Sequence, residues 1–457
     1  MRGSKRMLWA PTLLAVLAAV VVGCGGGDDS GSGGSPASGK GGEINVAIVD
    51  NPQMKDIADL TPELFTKKSG IDVNYTILDE GTLRQVTTRD VAAGGRQFDV
   101  VMIGPFEAPQ FGRDGTLTDL TKFAQSDSAY RFDDLIPSVR NALSFEGKMY
   151  AAPFYAESSF LMYRKDVLKE AGVTMPANPT WDQVAAAARK VDSPDVAGIC
   201  LRGKPGWGDL GASFTTVLNT FGGTWWSANP DGSVGEAMVD QPQFKAALQN
   251  YVDLVKDAGE KDAASASFNE CLTQYTDGKV AMWYDATVAA GLLEADDSAV
   301  KGKNGYAAAP VKETDASGWL WSWALGIPVT SSKADLGWEY ISFATGPQYL
   351  KQAGDRIPGG WAAIPPGTRE STYQIPQYKK AAAAFAQPTL DSIASAPIDN
   401  PGTTKRPGVP GVQYVGIPEF QDVGNQCTEQ FSAVIAGRAS IDSALQNCQN
   451  IASQVGG

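Results

Sequence analysis

Tryptophan set beside charge is the chemical combination this sequence offers most often. The chain carries 11 tryptophans, and Trp207, Trp225, Trp226, Trp321, Trp323 and Trp361 fall at the ends of expected strands or in loops. Lys204 precedes Trp207, Glu157 follows Pro153-Phe154-Tyr155, and Arg356 lies near Gly359-Gly360-Trp361. An indole face covers the C–H surface of a polyhydroxylated guest while neighbouring charged or amide groups take its hydroxyls. Trp283, Trp319 and Trp338 lie inside expected elements, where core packing is the simpler reading, and an isolated charged side chain ordinarily belongs to the solvated surface.

Other chemistries have less support. The chain has no histidine, which removes the usual general base of Ser-His-Asp and Cys-His enzymes and the commonest neutral metal ligand. Gly206-Trp207-Gly208-Asp209-Leu210-Gly211 matches G-x-G-x-x-G after an expected strand at 197–201. Its tryptophan stands where backbone would have to approach a phosphate, so a nucleotide site is set aside. Glu157 and Asp285 are the carboxylate pair a secreted carbohydrate-active enzyme would need, if the fold held them ~5 to 9 Å apart. No cofactor and no metal are expected. A formal net charge of −13, with no lysine or arginine cluster, lacks the footprint of a nucleic-acid binder.

The elements that must position these groups follow from periodicity. Ile44, Val46 and Ile48 alternate in a strand, Met54, Ile57 and Leu60 keep a helical spacing, and Ile71, Val73, Tyr75 and Ile77 alternate again. A helical segment with Leu83 and Val86 then leads to an apolar strand over 98–103. The order β-α-β-α-β predicts a parallel sheet flanked by helices, with ligands beyond the carboxyl ends of its strands. Asp50, Asn51, Asp79, Phe106 and Glu107 sit at such ends. A second α/β region begins near Ser158: a strand over 160–163, a helix opened by the capping box Thr180-Trp181-Asp182-Gln183, a long helix around 244–255 and a short strand ending at Asp285. Trp319, Trp321, Trp323 and Leu325 share one face of a further strand, followed by a helix over 334–343, a proline-rich loop region, and two helices around 426–436 and 441–455. The length calls for two domains.

These segments carry a family resemblance. The stretch 148–165, KMYAAPFYAESSFLMYRK, resembles the first interlobe crossing of maltose-binding-protein-like solute receptors. GICLRGKPGWG at 198–208, AMWYDATVAA at 281–290 and WAAIPPGTR at 361–369 resemble the sorbitol/mannitol-binding branch of that family, whose members serve ABC importers. The resemblance implies an α/β, two-lobe periplasmic-binding-protein type II fold, each lobe a mixed or parallel sheet flanked by helices, with the ligand in the cleft between lobes. It implies an N-terminal lobe of 43–155 plus 327–363, a C-terminal lobe of 158–320 plus 367–457, and three crossings near Tyr155, Trp323 and Ile364. By position, Glu157 matches the family's acidic residue at the first crossing, and Lys204 and Trp207 match a loop lining the second lobe. Asp285 stands where other branches carry a stacking aromatic, which suits a flexible alditol better than a flat pyranose. The expected function is delivery of a sugar alcohol to permease subunits by a monomeric binding protein, with a mono- or oligosaccharide as the alternative ligand.

The ends complete the expectation. Arg2, Lys5 and Arg6, an apolar run over 7–22 and Val21-Val22-Gly23-Cys24 read as a lipoprotein signal over 1–23, with Cys24 the acylated anchor on the outer face of a bacterial membrane. The Gly/Ser/Asp-rich stretch 25–42 reads as a flexible tether. Of the five cysteines, four remain for an oxidising compartment: Cys200, Cys271, Cys427 and Cys448. They allow three pairings, of which the sequence-local one, Cys200 with Cys271 and Cys427 with Cys448, is expected.

Overall fold

Alternating apolar residues build the first sheet much as their spacing predicts. The structure, a computed structural model, describes residues 41–455, so the signal segment, Cys24 and the tether lie outside the described residues. Strand β1 (Gly42–Val49) buries Ile44, Val46 and Ile48 completely. It pairs in parallel with β2 (Ile71–Leu78) and β3 (Val100–Ile103). Helices α1 (Pro52–Thr61) and α2 (Glu80–Ala92) make the intervening crossovers.

The chain leaves this sheet along one nearly unbroken ribbon. Strand β4 (Ala152–Glu157) continues through Ser158 into β5 (Ser159–Arg164). β5 is the centre of a second sheet, between β6 (Met282–Ala286) and β7 (Asn304–Ala308), and both pairings are antiparallel. β8 (Trp321–Gly326) returns to the first sheet, antiparallel to β3 and β4, which makes that sheet mixed with order β2-β1-β3-β8-β4. Two lobes result, each centred on a sheet with helices packed on it.

Two details differ from the sequence reading. The strand expected at 197–201 forms only isolated bridges, because Ala197 and Cys200 donate to Lys279 and Met282 while Ile199 donates to Ala258, so no single partner carries a ladder. Residues near 368–371, expected in the second lobe, are tied to first-lobe residues. Thr368 O accepts from Ile136 N at 2.9 Å, and the buried Arg369 donates to Arg131 O at 3.1 Å. A buried guanidinium needs such acceptors, and the chain meets the second sheet only later, where Phe385 packs 6.2 Å from Tyr306 of β7.

Helices of the second lobe hold the loops that face the first. The capping box at Thr180 is formed as expected: Gln183 N donates to Thr180 Oγ1 at 3.3 Å and Thr180 N donates to Gln183 Oε1 at 2.9 Å. It starts α3 (Trp181–Val191). α4 (Leu210–Thr220), α5 (Pro242–Ala258), α6 (Phe268–Thr276), α7 (Phe420–Ile435) and α8 (Ile441–Ala452) follow. Both disulfides have the expected pairing: Cys200–Cys271 fastens the loop after residue 200 to α6, and Cys427–Cys448 staples α7 to α8. Among the described residues no helix is long and apolar enough to cross a membrane.

Candidate functional site

A small cavity lies where the two lobes meet, and its walls are aromatic and charged. β4 delivers Tyr155 and Glu157 to it, and β8 delivers Trp321 and Trp323 from one strand face, with Trp319 just before the strand. The period-two spacing of those indoles is what aims them together. From the second lobe come Arg202, Trp207 and Phe268. The loop bearing Trp207 is pinned to α7, since Trp207 N donates to Asn425 Oδ1 and Gly206 N to Thr428 Oγ1, each at 2.9 Å.

Two buried arginines organise the charge. Arg84, on α2, donates to Glu107 Oε1 at 2.6 Å and to Glu80 Oε1 at 2.7 Å. Its guanidinium carbon lies 4.1, 4.6 and 4.7 Å from the ring centroids of Trp207, Trp321 and Trp323, an arrangement that desolvated cation–π attraction favours. Arg202 grips Asp285 through Nε and Nη2 at 2.8 and 2.6 Å, and its Nη1 donates to Gly208 O at 3.0 Å. Arg202 also lies 3.8 Å from Glu80, an ion pair that spans the two lobes. Asn269 Nδ2 donating to Asp50 O at 2.8 Å and Lys204 beside Asp79 at 3.6 Å span them too. The lobes are closed on one another.

Glu157 stands apart from this pairing. Burial pushes its carboxyl well above the usual carboxylate range, opposed by the Arg202 cation and reinforced by Asp285 and Glu80, so the neutral form persists at pH values where an exposed glutamate is ionised. Its Oε2 is buried without a hydrogen-bond partner, as are Trp207 Nε1, Trp319 Nε1 and Gln413 Oε1. All four residues line the cavity. Buried polar atoms are ordinarily paired, and here four residues with unpaired polar atoms line one cavity.

The sequence-derived candidates divide into four groups. Asn51, Glu157, Trp207, Trp321 and Trp323 line the cavity together. Phe106, Glu107 and Asp285 stand directly behind it: Phe106 packs 4.6 Å from Trp207, Glu107 accepts from Arg84, and Asp285 is wholly buried against Arg202. Asp285 therefore supports the wall and is not an open acceptor for a guest, nor is it placed as a glycosidase nucleophile. Asp79 and Lys204 pair at the exposed rim.

The remaining candidates lie elsewhere. Asp50 pairs with Lys55 at 2.6 Å. Trp225 and Trp226 are fully buried in the second-lobe core, their indoles donating to Thr215 Oγ1 and Ala452 O at 3.0 Å, because the Gly222-Gly223 turn folds back over Phe244. Arg356 is exposed near Glu63, and Trp361 donates to Asp355 at 2.7 Å on the surface. Cys24 lies outside the described residues. Cys200, Cys271 and Glu260 cluster within 4.8 Å, but both sulfurs are spent on the disulfide, which leaves a single carboxylate for any metal.

Arg84, Arg202, Glu80, Phe268 and Gln413 were missed by sequence reasoning. Glu80 and Arg84 carry a usable signal, an oppositely charged i,i+4 pair opening a helix after a strand. Trp319, read from sequence as core, lines the cavity.

Residues 49–351 match the family described as bacterial extracellular solute-binding protein. The chain is 40% identical over 412 residues to a mannitol-binding protein of Pseudomonas aeruginosa, covering 89% of this chain and 91% of that one. It is 25% identical over 412 residues to an erythritol/L-threitol-binding protein of Mycolicibacterium smegmatis, covering 83% and 84%. Among solved structures, an ABC transporter solute-binding protein from Agrobacterium vitis S4 with bound D-mannitol superposes with a TM-score of 0.86 at 44% identity, covering 90% of this chain and 98% of that chain.

Proposed function

The chain belongs to the bacterial extracellular solute-binding protein family, and from that premise we propose that it binds a sugar alcohol in the interlobe cleft and hands it to an ABC permease. The observation that carries this reading is the set of four unpartnered polar atoms on Glu157, Trp207, Trp319 and Gln413 around one cavity. A hydroxyl is donor and acceptor at once, so a short chain of hydroxyls answers donors and acceptors alike without importing charge. The indoles then cover its C–H surface. The mannitol-bound and mannitol-binding relatives support the same ligand class.

The mechanism follows from contacts to both lobes. Without ligand the lobes part; an alditol touching Glu157 and Trp321 on one side and Trp207 on the other raises the closed population by its differential affinity. The permease then recognises the closed form. The protein acts as a monomer held at the outer membrane face by a lipid on Cys24, as the sequence around that residue suggests. The N-terminal lobe comprises 43–155 and the region from Trp321 through Ile375, with the remainder of 158–457 in the C-terminal lobe.

Thermal unfolding with D-mannitol, D-sorbitol, D-arabitol, maltose and trehalose tests the proposal. At a concentration of 100 Kd the preferred alditol is expected to add about 2.7 kcal/mol, raising the melting temperature by several degrees. Stabilisation by maltose or trehalose alone would replace the alditol with a saccharide, and turnover of a glycoside would replace binding with catalysis.

A further inference from the structure

The alditol reading leaves one acidic group of the cleft without a counter-charge. Arg202 is spent on Asp285, and Arg84 on Glu107 and Glu80. These three carboxylates already outnumber the two guanidiniums. Glu157 adds a fourth carboxyl, 5% exposed, and among the described residues it forms no ion pair. Its Oε2 makes no close hydrogen bond, with the Trp319 N–H nearby as a weak donor. A buried acid in this position takes its charged form only when something cationic meets it.

Its surroundings suit such a group. Trp319 and Trp321 line the same cavity, and Trp321 is the cross-strand neighbour of Glu157. Indole faces attract cations, and this wall already does so once, for Arg84. The two guanidiniums do not repel a further cation strongly, since each is matched by carboxylates and the surplus around Glu157 is negative. Burial holds the Glu157 carboxyl toward its neutral form, and an ammonium brought against it would draw it to the charged one.

We propose that the cleft takes, in preference to a plain alditol, an alditol bearing a protonated amine on a terminal carbon, with the ammonium against Glu157 and the hydroxyl chain placed as in the alditol reading, on which this inference rests. The class is 1-amino-1-deoxyalditols and their N-substituted derivatives that keep a basic nitrogen.

Calorimetric titration of the purified full chain at neutral pH with two matched pairs tests it: D-mannitol against 1-amino-1-deoxy-D-mannitol, and D-sorbitol against 1-amino-1-deoxy-D-sorbitol. The amine is expected to bind at least tenfold more tightly than its parent in one pair or both. N-acetylation, which keeps the bulk and removes the charge, is expected to abolish that gain, and Glu157→Gln is expected to lower the amine-to-alditol affinity ratio at least tenfold. An amine no tighter than its parent in both pairs, an N-acetyl derivative as tight as the amine, or a ratio unmoved by Glu157→Gln overturns the proposal while the alditol reading stands. Absence of binding by all four compounds and by D-arabitol overturns both.

Discussion

Arg202→Met is expected to cost about 3–5 kcal/mol of folding stability and to abolish ligand binding, the largest single effect in the site. The substitution keeps the length of the side chain and its apolar packing but strands Asp285, which is 0% exposed and held by two charge-assisted bonds of 2.8 and 2.6 Å. Trp283 Nε1 at 3.1 Å and Ala286 N at 2.7 Å remain as its donors. Two neutral donors do not replace a buried counter-charge. Adding Asp285→Asn to Arg202→Met removes the stranded charge, so the double variant is expected to regain most of the stability. Binding is not expected to return, because the Arg202 contacts to Gly208 O and Glu80 are still missing. Urea unfolding at constant slope reads the first effect. Equal losses in the single and double variants would show that packing, and not charge, sets the cost.

Gly208→Val is expected to act on closure alone. A Cβ at this position would lie 2.2 Å from Glu80 Oε1 and 2.8 Å from Arg84 Nε, both on the opposite lobe. Arg84 has little freedom to withdraw, being fastened to Glu107 and ringed by indoles. Overpacking of this kind costs about 1–3 kcal/mol, and here the cost falls only on the closed form. Apparent affinity is therefore expected to drop by about five- to 150-fold, in proportion to the lost closed population, with the melting temperature of the ligand-free protein unchanged. A lowered melting temperature with unaltered affinity would make Gly208 an ordinary packing position.

The sequence exposed whatever is local and periodic. Ile44, Val46 and Ile48 announced β1, the Thr180 capping box announced α3, and the spacing of Trp321 and Trp323 put both indoles on one wall. What stayed hidden is pairing between distant residues. Arg202 and Asp285 are 83 residues apart, and neither shows in its own neighbourhood that the other consumes it, so Asp285 read as an open acceptor. Trp225 and Trp226 misled for a related reason: glycine and polar neighbours look like a loop, yet the turn they make delivers both rings to Phe244 and Phe420. Glu157 was legible as a cleft residue from the resemblance; that it is the one carboxyl there lacking a cation required the fold.

The three indoles around Arg84 are drawn from both lobes: Trp207 from one, Trp321 and Trp323 from the other. Hinge opening must pull Trp207 away from that guanidinium and admit water to its face. Since indole emission responds to adjacent charge and to solvent, the molecule carries an optical gauge of its own posture, legible in real time without any dye attached.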